Sequence, residues 1–176
     1  RQDRNSDDIN LWSLYHIPES TFKGQKKTLS RDEYITEGAS CFLRTDQTRL
    51  LLIVGPPGVG KTNLVHGIST RLIEHEPSLI FVQLNTALLL SGTQSPGERE
   101  KLLKGILDEL VKHPEKIVIF EHFDLLLRET TCGALLLANA LDAGGRLGGT
   151  LVPSPDVSVL PGILERRTQV LTLDEA

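Results

Sequence analysis

Between residues 55 and 62 the chain reads Gly-Pro-Pro-Gly-Val-Gly-Lys-Thr, which fits the G-x-x-x-x-G-K-[ST] pattern at every defined position. An apolar run, Leu50, Leu51, Leu52, Ile53 and Val54, precedes it with the length and composition of a buried strand. From Asn63 to Glu74, residues Leu64, Val65, Ile68, Leu72 and Ile73 recur at helical spacing. Strand, glycine loop and helix in that order give the pattern its weight, because a glycine-rich βα turn without them binds nothing in particular. Glycines let the backbone wrap a phosphate chain, and the N–H groups at a helix start point at the anion. The expected phosphate-binding set is Gly55, Pro56, Pro57, Gly58, Val59, Gly60, Lys61, Thr62 and Asn63. In this reading Lys61 reaches the β- and γ-phosphates, the Thr62 hydroxyl holds Mg²⁺, and the ligand is ATP or ADP with that ion.

The rest of the chain alternates in the same way. A capping-box pattern, Ser30-Arg31-Asp32-Glu33, opens a helix within residues 29–45. Further apolar runs lie at 79–84, at 117–120, more weakly near 147–152, and from Thr168 to Leu173. Helical patterns at 61–75, 98–112 and 133–143 separate them by short connections. Such alternation predicts an α/β fold with a parallel sheet covered on both faces. The Leu125–Leu127 and Leu135–Leu137 clusters read as core packing. Residues 98–109 alternate Glu98, Arg99, Glu100, Lys101, Lys104, Asp108 and Glu109, which reads as a solvated, ion-paired helix face.

Composition bounds the function more than it defines it. A chain of 176 residues, 39% hydrophobic and 24% charged, suits one soluble globular domain with a real core. The net charge of −4 and the lack of basic-aromatic clusters argue against nucleic acid as a partner. No apolar run approaches membrane-spanning length and no signal peptide stands at the start, so no membrane insertion and a cytoplasmic setting are expected. Cys41 and Cys132 lack metal-ligand spacing and read as packed, reduced thiols. His66, His75 and His113 show no metal spacing either. The chain begins with Arg1 and contains no Met, so we read it as an internal piece of a longer protein. Residues 1–28, polar except for Leu11, Trp12, Leu14, Tyr15 and Ile17, are expected to be an N-terminal extension or linker, and 29–176 the folded domain.

The residues beyond the glycine loop suggest a family. The stretch Leu84-Asn-Thr-Ala-Leu-Leu-Leu-Ser-Gly92, then Gly97-Glu98 and Leu103-Lys-Gly-Ile-Leu107, resembles the second-strand region of Clp-type AAA+ protein unfoldases, the group of ClpA, ClpB and ClpV. Ser30 to Ile35 resembles the segment that precedes the loop in that family, and Ile163-Leu-Glu-Arg-Arg-Thr-Gln169 resembles its arginine-finger segment. The resemblance covers roughly residues 29–175, the large ATPase subdomain of the first ring, without its helical lid. It implies a three-layer P-loop fold with strand order 5-1-4-3-2 and a homo-oligomeric ring, a hexamer, in the full-length protein. Protein clients or adaptors are the implied partners. Arg166 and Arg167 then stand where a guanidinium reaches a neighbouring subunit's γ-phosphate.

The departures from that family shape the functional expectation. The substrate-gripping pore loop reads Gln94-Ser95-Pro96-Gly97, with Ser95 in the aromatic position and Pro96 stiffening the loop. Where the family has four apolar residues and then Asp-Glu, this chain has Ile117 to Phe120 followed by Glu121, His122, Phe123 and Asp124. In one register Glu121 takes the Mg²⁺-ordering position and His122 the water-polarising one; in the other His122 and Phe123 do. Neither restores an adjacent acid pair. The sensor strand reads Gly149-Thr150-Leu-Val-Pro153-Ser154, so Thr150 or Ser154 supplies its hydroxyl. Together these point to nucleotide binding with weak or absent hydrolysis, in ring assembly or nucleotide-gated scaffolding within a Clp-like remodelling machine. An active ATP-driven unfoldase is the first alternative and a nucleic-acid loader the second.

Overall fold

The computed structural model describes residues 30–44, 49–153 and 160–174. The amphipathic patch from Leu11 to Ile17 and the candidate hydroxyl of Ser154 lie outside them.

Helix α1 (Arg31–Leu43) starts where the capping box predicts: the Ser30 hydroxyl accepts from the Glu33 N–H at 3.2 Å and donates to Glu33 Oε1 at 3.2 Å. Strand β1 (Leu50–Val54) leads to α2 (Lys61–His75), then β2 (Ile80–Asn85), a short α3 (Thr86–Ser91) and the long α4 (Pro96–Lys112). Strand β3 (Lys116–Glu121), the short α5 (Phe123–Arg128), α6 (Gly133–Asp142), β4 (Arg146–Leu151), the single turn α7 (Gly162–Glu165) and β5 (Thr168–Thr172) complete the described elements. The five strands form one parallel sheet in the order β2-β3-β4-β1-β5, the expected 5-1-4-3-2 viewed from the other edge.

Period-two alternation divides the sheet into two packed faces. Leu50, Leu52 and Val54 face α4, α5 and α6, meeting Leu103, Phe123 and Leu137. Leu51 and Ile53 face α1 and α2, meeting Phe42, Leu64, Val65 and Ile68. Tyr34 ties α1 to β5 by donating its hydroxyl to the Thr172 carbonyl at 2.7 Å, and burial there raises its pKa.

The weak sequence signal of β4 has a packing cause. A Cβ on Gly149 would stand 2.5 to 2.6 Å from three atoms of Phe123, and one on Gly148 would stand 2.7 Å from the Leu51 carbonyl oxygen. The strand therefore gives up side chains at its centre so that Phe123 can sit beneath it. The three short helices α3, α5 and α7 have no sequence-level counterpart in the periodic patterns. Leu126 and Leu127 are core residues of α5, whereas Leu135 on α6 is half exposed, so only part of the second leucine cluster packs as expected.

The charged face of α4 is ion-paired as its alternation predicts. Lys104 meets Asp108 at 3.0 Å, Arg99 meets Glu129 at 3.3 Å, and Glu109 meets Lys116 at 3.1 Å. Glu100 goes further: Oε1 accepts from the backbone N–H groups of Thr131 and Cys132, at 2.7 and 2.6 Å, and so anchors the start of α6.

Of the two thiols, Cys41 is buried and Cys132 exposed, which corrects the expectation that both are packed. Burial pushes the Cys41 thiol up to about 11, against the opposing effects of Arg49 and Arg44. We therefore expect a thiol reagent at neutral pH to label Cys132 in the native state and Cys41 only after unfolding. A raised native pKa also means that the unfolded chain loses its proton first. Folding stability should fall as pH rises from about 9 to about 11, and denaturant titrations of Cys41→Ala should show a shallower fall. In the core, Gly149→Ala should cost about 1–3 kcal/mol in urea unfolding, because the added methyl cannot be placed without moving Phe123.

Candidate nucleotide-binding site

The glycine loop leaves the sheet at the carboxyl end of β1, between two neighbours that pin it. The Gly55 N–H donates to the Leu151 carbonyl of β4 at 3.2 Å, and the Leu173 N–H donates to the Val54 carbonyl at 2.7 Å. Gly55 must be small there, since a Cβ would lie 2.9 Å from the Leu173 carbonyl oxygen. The chain then turns through Pro56 and Pro57, with the Val59 N–H donating to the Pro56 carbonyl at 3.3 Å. Gly58 and Gly60 adopt φ of 77° and 104°, a left-handed region that only glycine enters without strain. Gly60 caps α2 without a side chain, so among the described residues no side-chain cap serves the N–H groups at the start of that 15-residue helix.

Lys61 folds over the loop. Its ammonium donates to the carbonyls of Gly55 at 2.6 Å and Pro56 at 2.9 Å, and burial lowers its pKa. Thr62 and Asn63 are exposed at the mouth. The Asn63 carbonyl accepts from Arg31 Nη2 at 2.9 Å, which ties the start of α1 to the start of α2.

Glu121 ends β3, two strands from the loop. It pairs with Thr150 of β4, and Thr150 pairs with Ile53 of β1. Glu121 and Thr150 thus stand at the same level and on the face that carries Ile119, Leu51 and α2. Glu121 Oε1 accepts from Gln83 Nε2 of β2 at 2.7 Å. His122 takes φ 54° and ψ 50°, left-handed, and is exposed; among the described residues it is the one non-glycine with positive φ. That twist sends Phe123 to the opposite face of the sheet, where it is fully buried. Asp124 pairs with Arg128 on α5 at 2.8 Å.

The two arginines part company. Arg167 donates Nε and Nη2 to the two Asp142 oxygens at 2.8 and 2.9 Å, and Nη1 to the Ile163 carbonyl at 2.8 Å. That bidentate contact holds the Asp142 carboxyl below its usual range and raises the guanidinium. Arg166 is exposed, and its side chain makes no hydrogen bond or ion pair among the described residues, although its backbone N–H donates to the Gly162 carbonyl at 3.4 Å. Both lie just before β5, whose first residue Thr168 pairs with Leu50, so they occupy the end of the sheet opposite the glycine loop. The structure does not bring them to the loop of the same chain.

Gln94 to Gly97 proves to be a helix start. Ser95 caps α4 by accepting from the Glu98 N–H at 3.2 Å, Pro96 sits in the first turn, and Glu98 accepts from the Gln94 N–H at 2.8 Å. Where the sequence predicts a loop for all four residues, Pro96 and Gly97 instead belong to the first turn of α4. Among the described residues no group of three or more His, Cys, Asp or Glu side chains could hold a metal by itself. Gln83 is the site residue that sequence reading passed over. Its signal was available as the one amide within the apolar run from Ile80 to Leu84.

The family model for the ATPase family associated with various cellular activities, AAA, matches residues 51–142, more than half of the chain. The chain belongs to the AAA family. Its relatives are of the Clp type. It is 36% identical over 124 residues to the chaperone protein ClpB of Dichelobacter nodosus, covering 68% of this chain and 14% of that protein. The ClpB of Meiothermus ruber is 31% identical over 164 residues, covering 84% of this chain and 19% of the relative. The chain therefore spans less than a fifth of either relative. Among solved structures, a closed-state cryoEM reconstruction of Hsp104 with ATPγS and FITC-casein superposes on 90% of this chain with a TM-score of 0.68 and 22% identity. Caenorhabditis elegans PCH-2 covers 96% with a TM-score of 0.56 and 18% identity. These neighbours share the AAA fold.

The contrast between the two arginines is measurable. Arg167→Ala should lower the melting temperature of the chain by releasing Asp142 and the end of α7, while Arg166→Ala should leave it unchanged. Equal melting temperatures for the two variants would contradict the arrangement described.

Proposed function

We propose that this AAA domain binds ATP or ADP with Mg²⁺ on residues 55–63 and serves a Clp-like protein-remodelling machine, with weak or absent hydrolysis in this domain. The observation that carries the reading is the glycine loop on a fully buried β1, with two left-handed glycines, an uncapped helix start and Lys61 lying over it. A phosphate chain would take the N–H groups that no side chain serves and draw the Lys61 ammonium from its own loop carbonyls. The donor set fits Mg²⁺: a hydroxyl at Thr62 and a carboxylate at Glu121 are hard oxygens, few in number, on one face of the sheet. An ion held by those residues would neutralise phosphate charge.

Slow turnover is the consequence of the surroundings of Glu121. His122 lacks the negative charge with which a carboxylate orients water, and its left-handed backbone leaves it exposed. Arg166, its side chain unpaired and exposed among the described residues, is the guanidinium free to meet a neighbouring subunit's nucleotide, while Arg167 is committed to Asp142 and the Ile163 carbonyl. The Clp-type relatives support a homo-oligomeric, hexameric ring in the cytoplasm with protein clients or adaptors. Residues 29–176 would be the large ATPase subdomain and 1–28 an extension or linker. Ser95, engaged in capping α4, supports a scaffold over a substrate-gripping ring.

A fluorescent ATP analogue with Mg²⁺ should bind the chain, and Lys61→Ala should weaken that binding at least about tenfold, as loss of a charge-assisted contact requires. Unchanged binding in a folded Lys61→Ala protein would refute the site. In the assembled full-length protein, Glu121→Asp with His122→Glu should raise ATP turnover; an unaltered rate would show that these two positions do not limit it.

A further inference from the structure

Gln83 is the one polar residue in the apolar run from Ile80 to Leu84 of β2, flanked by Phe81, Val82 and Leu84. In the parallel pairing it stands level with Ile119, two residues before Glu121. Alternate residues of a strand share a face, so its carboxamide and the Glu121 carboxylate project together on the α2 side of the sheet. They meet at 2.7 Å, Gln83 Nε2 donating to Glu121 Oε1, in part-buried surroundings. Among the described residues no other hydrogen bond or ion pair reaches the Glu121 side chain.

We infer that Gln83 is a positioning residue for the Mg²⁺ site: it occupies one oxygen of Glu121 and leaves Oε2 for the metal's water shell. The inference rests on the nucleotide-binding reading above. Glutamate at a position suited to aspartate carries an extra rotatable bond, and a longer arm needs a second contact to hold one orientation. The chemistry of the partner matters as much as its reach. Lysine or arginine there would fix the carboxylate but cancel its charge and repel a cation. A carboxamide donates a proton while remaining neutral, so Glu121 keeps its full negative charge for the metal. Part-burial of the pair strengthens the contact by excluding competing water.

The test compares the dissociation constant of a fluorescent ATP analogue in Mg²⁺ with that in EDTA, on the whole chain. The wild-type protein should bind more tightly with Mg²⁺. Gln83→Leu should reduce that Mg²⁺ advantage roughly tenfold, as loss of an outer-shell partner does, while leaving the EDTA value and the melting temperature unaltered. Glu121→Gln should reduce it similarly, and the double variant should lose no more than Glu121→Gln alone. Should Gln83→Leu depress melting, Gln83→Met, which keeps the length and lacks the donor, replaces it. An undiminished Mg²⁺ advantage in Gln83→Leu or Gln83→Met, or a loss equal in Mg²⁺ and EDTA, would overturn the positioning role while leaving the nucleotide site standing. No analogue binding by the wild-type chain in either condition would overturn the nucleotide site and the inference together.

Discussion

Hydrogen bonding on both edges of a fully buried β1 is the constraint on which the rest of this domain depends. Leu50 to Val54 are inaccessible to solvent and pair in parallel with β4 on one side and β5 on the other. Such a strand cannot shift register, because a one-residue slip would exchange the two apolar faces. Its carboxyl end is fixed as well, by Gly55 bonded to Leu151 and Val54 bonded to Leu173. The glycine loop therefore begins at a set point, and α2 leaves it in a set direction, held by Arg31 on the Asn63 carbonyl. A loop rich in glycine would otherwise sample many shapes; here the freedom is confined to Gly58 and Gly60, where the left-handed turns require it.

A second set of constraints shapes the acidic side of the site. His122 turns left-handed at the end of β3, and Phe123 then enters the opposite core beneath Gly149. The turn and the missing side chain belong together: without the space at Gly149 the phenyl ring has nowhere to go, and without the turn Glu121 would not end the strand beside Thr150. Strain at a histidine is tolerable where a buried aromatic ring offsets it. Gln83 then reaches Glu121 from the neighbouring strand, so the carboxylate is held by a side chain as well as by the backbone.

The two ends of a parallel sheet are chemically distinct, and the chain uses both. The loop, Glu121 and Thr150 gather at the carboxyl ends, where an open α/β sheet leaves a crevice for ligands. Arg166 and Arg167 lie at the amino end of β5. One guanidinium is committed to Asp142 and the other is free among the described residues, a division that matches a structural support beside an outward-facing cation.

Long, strongly periodic elements were legible from residue order alone. The strand at 50–54, the helix at 61–75 and the capped start of α1 coincide with their sequence signals, because burial period and capping chemistry are local properties. The glycine loop between β1 and α2 was legible for the same reason, as was the AAA strand order once the motifs suggested the family. Tertiary structure alone decided the rest. The short helices α3, α5 and α7 have too few turns to show a period, and Ser95 became a helix cap because Glu98 could answer it. The glycines of β4 look unsuited to a central strand until Phe123 is seen to fill the space beneath them. Sequence placed Arg166 and Arg167 side by side, yet only folding brought Asp142, 25 residues away, against one of them. Sequence likewise held Gln83 and Glu121 apart by 38 residues; the pairing of β2 with β3 made them partners, since contact across a sheet depends on register and face rather than on distance along the chain.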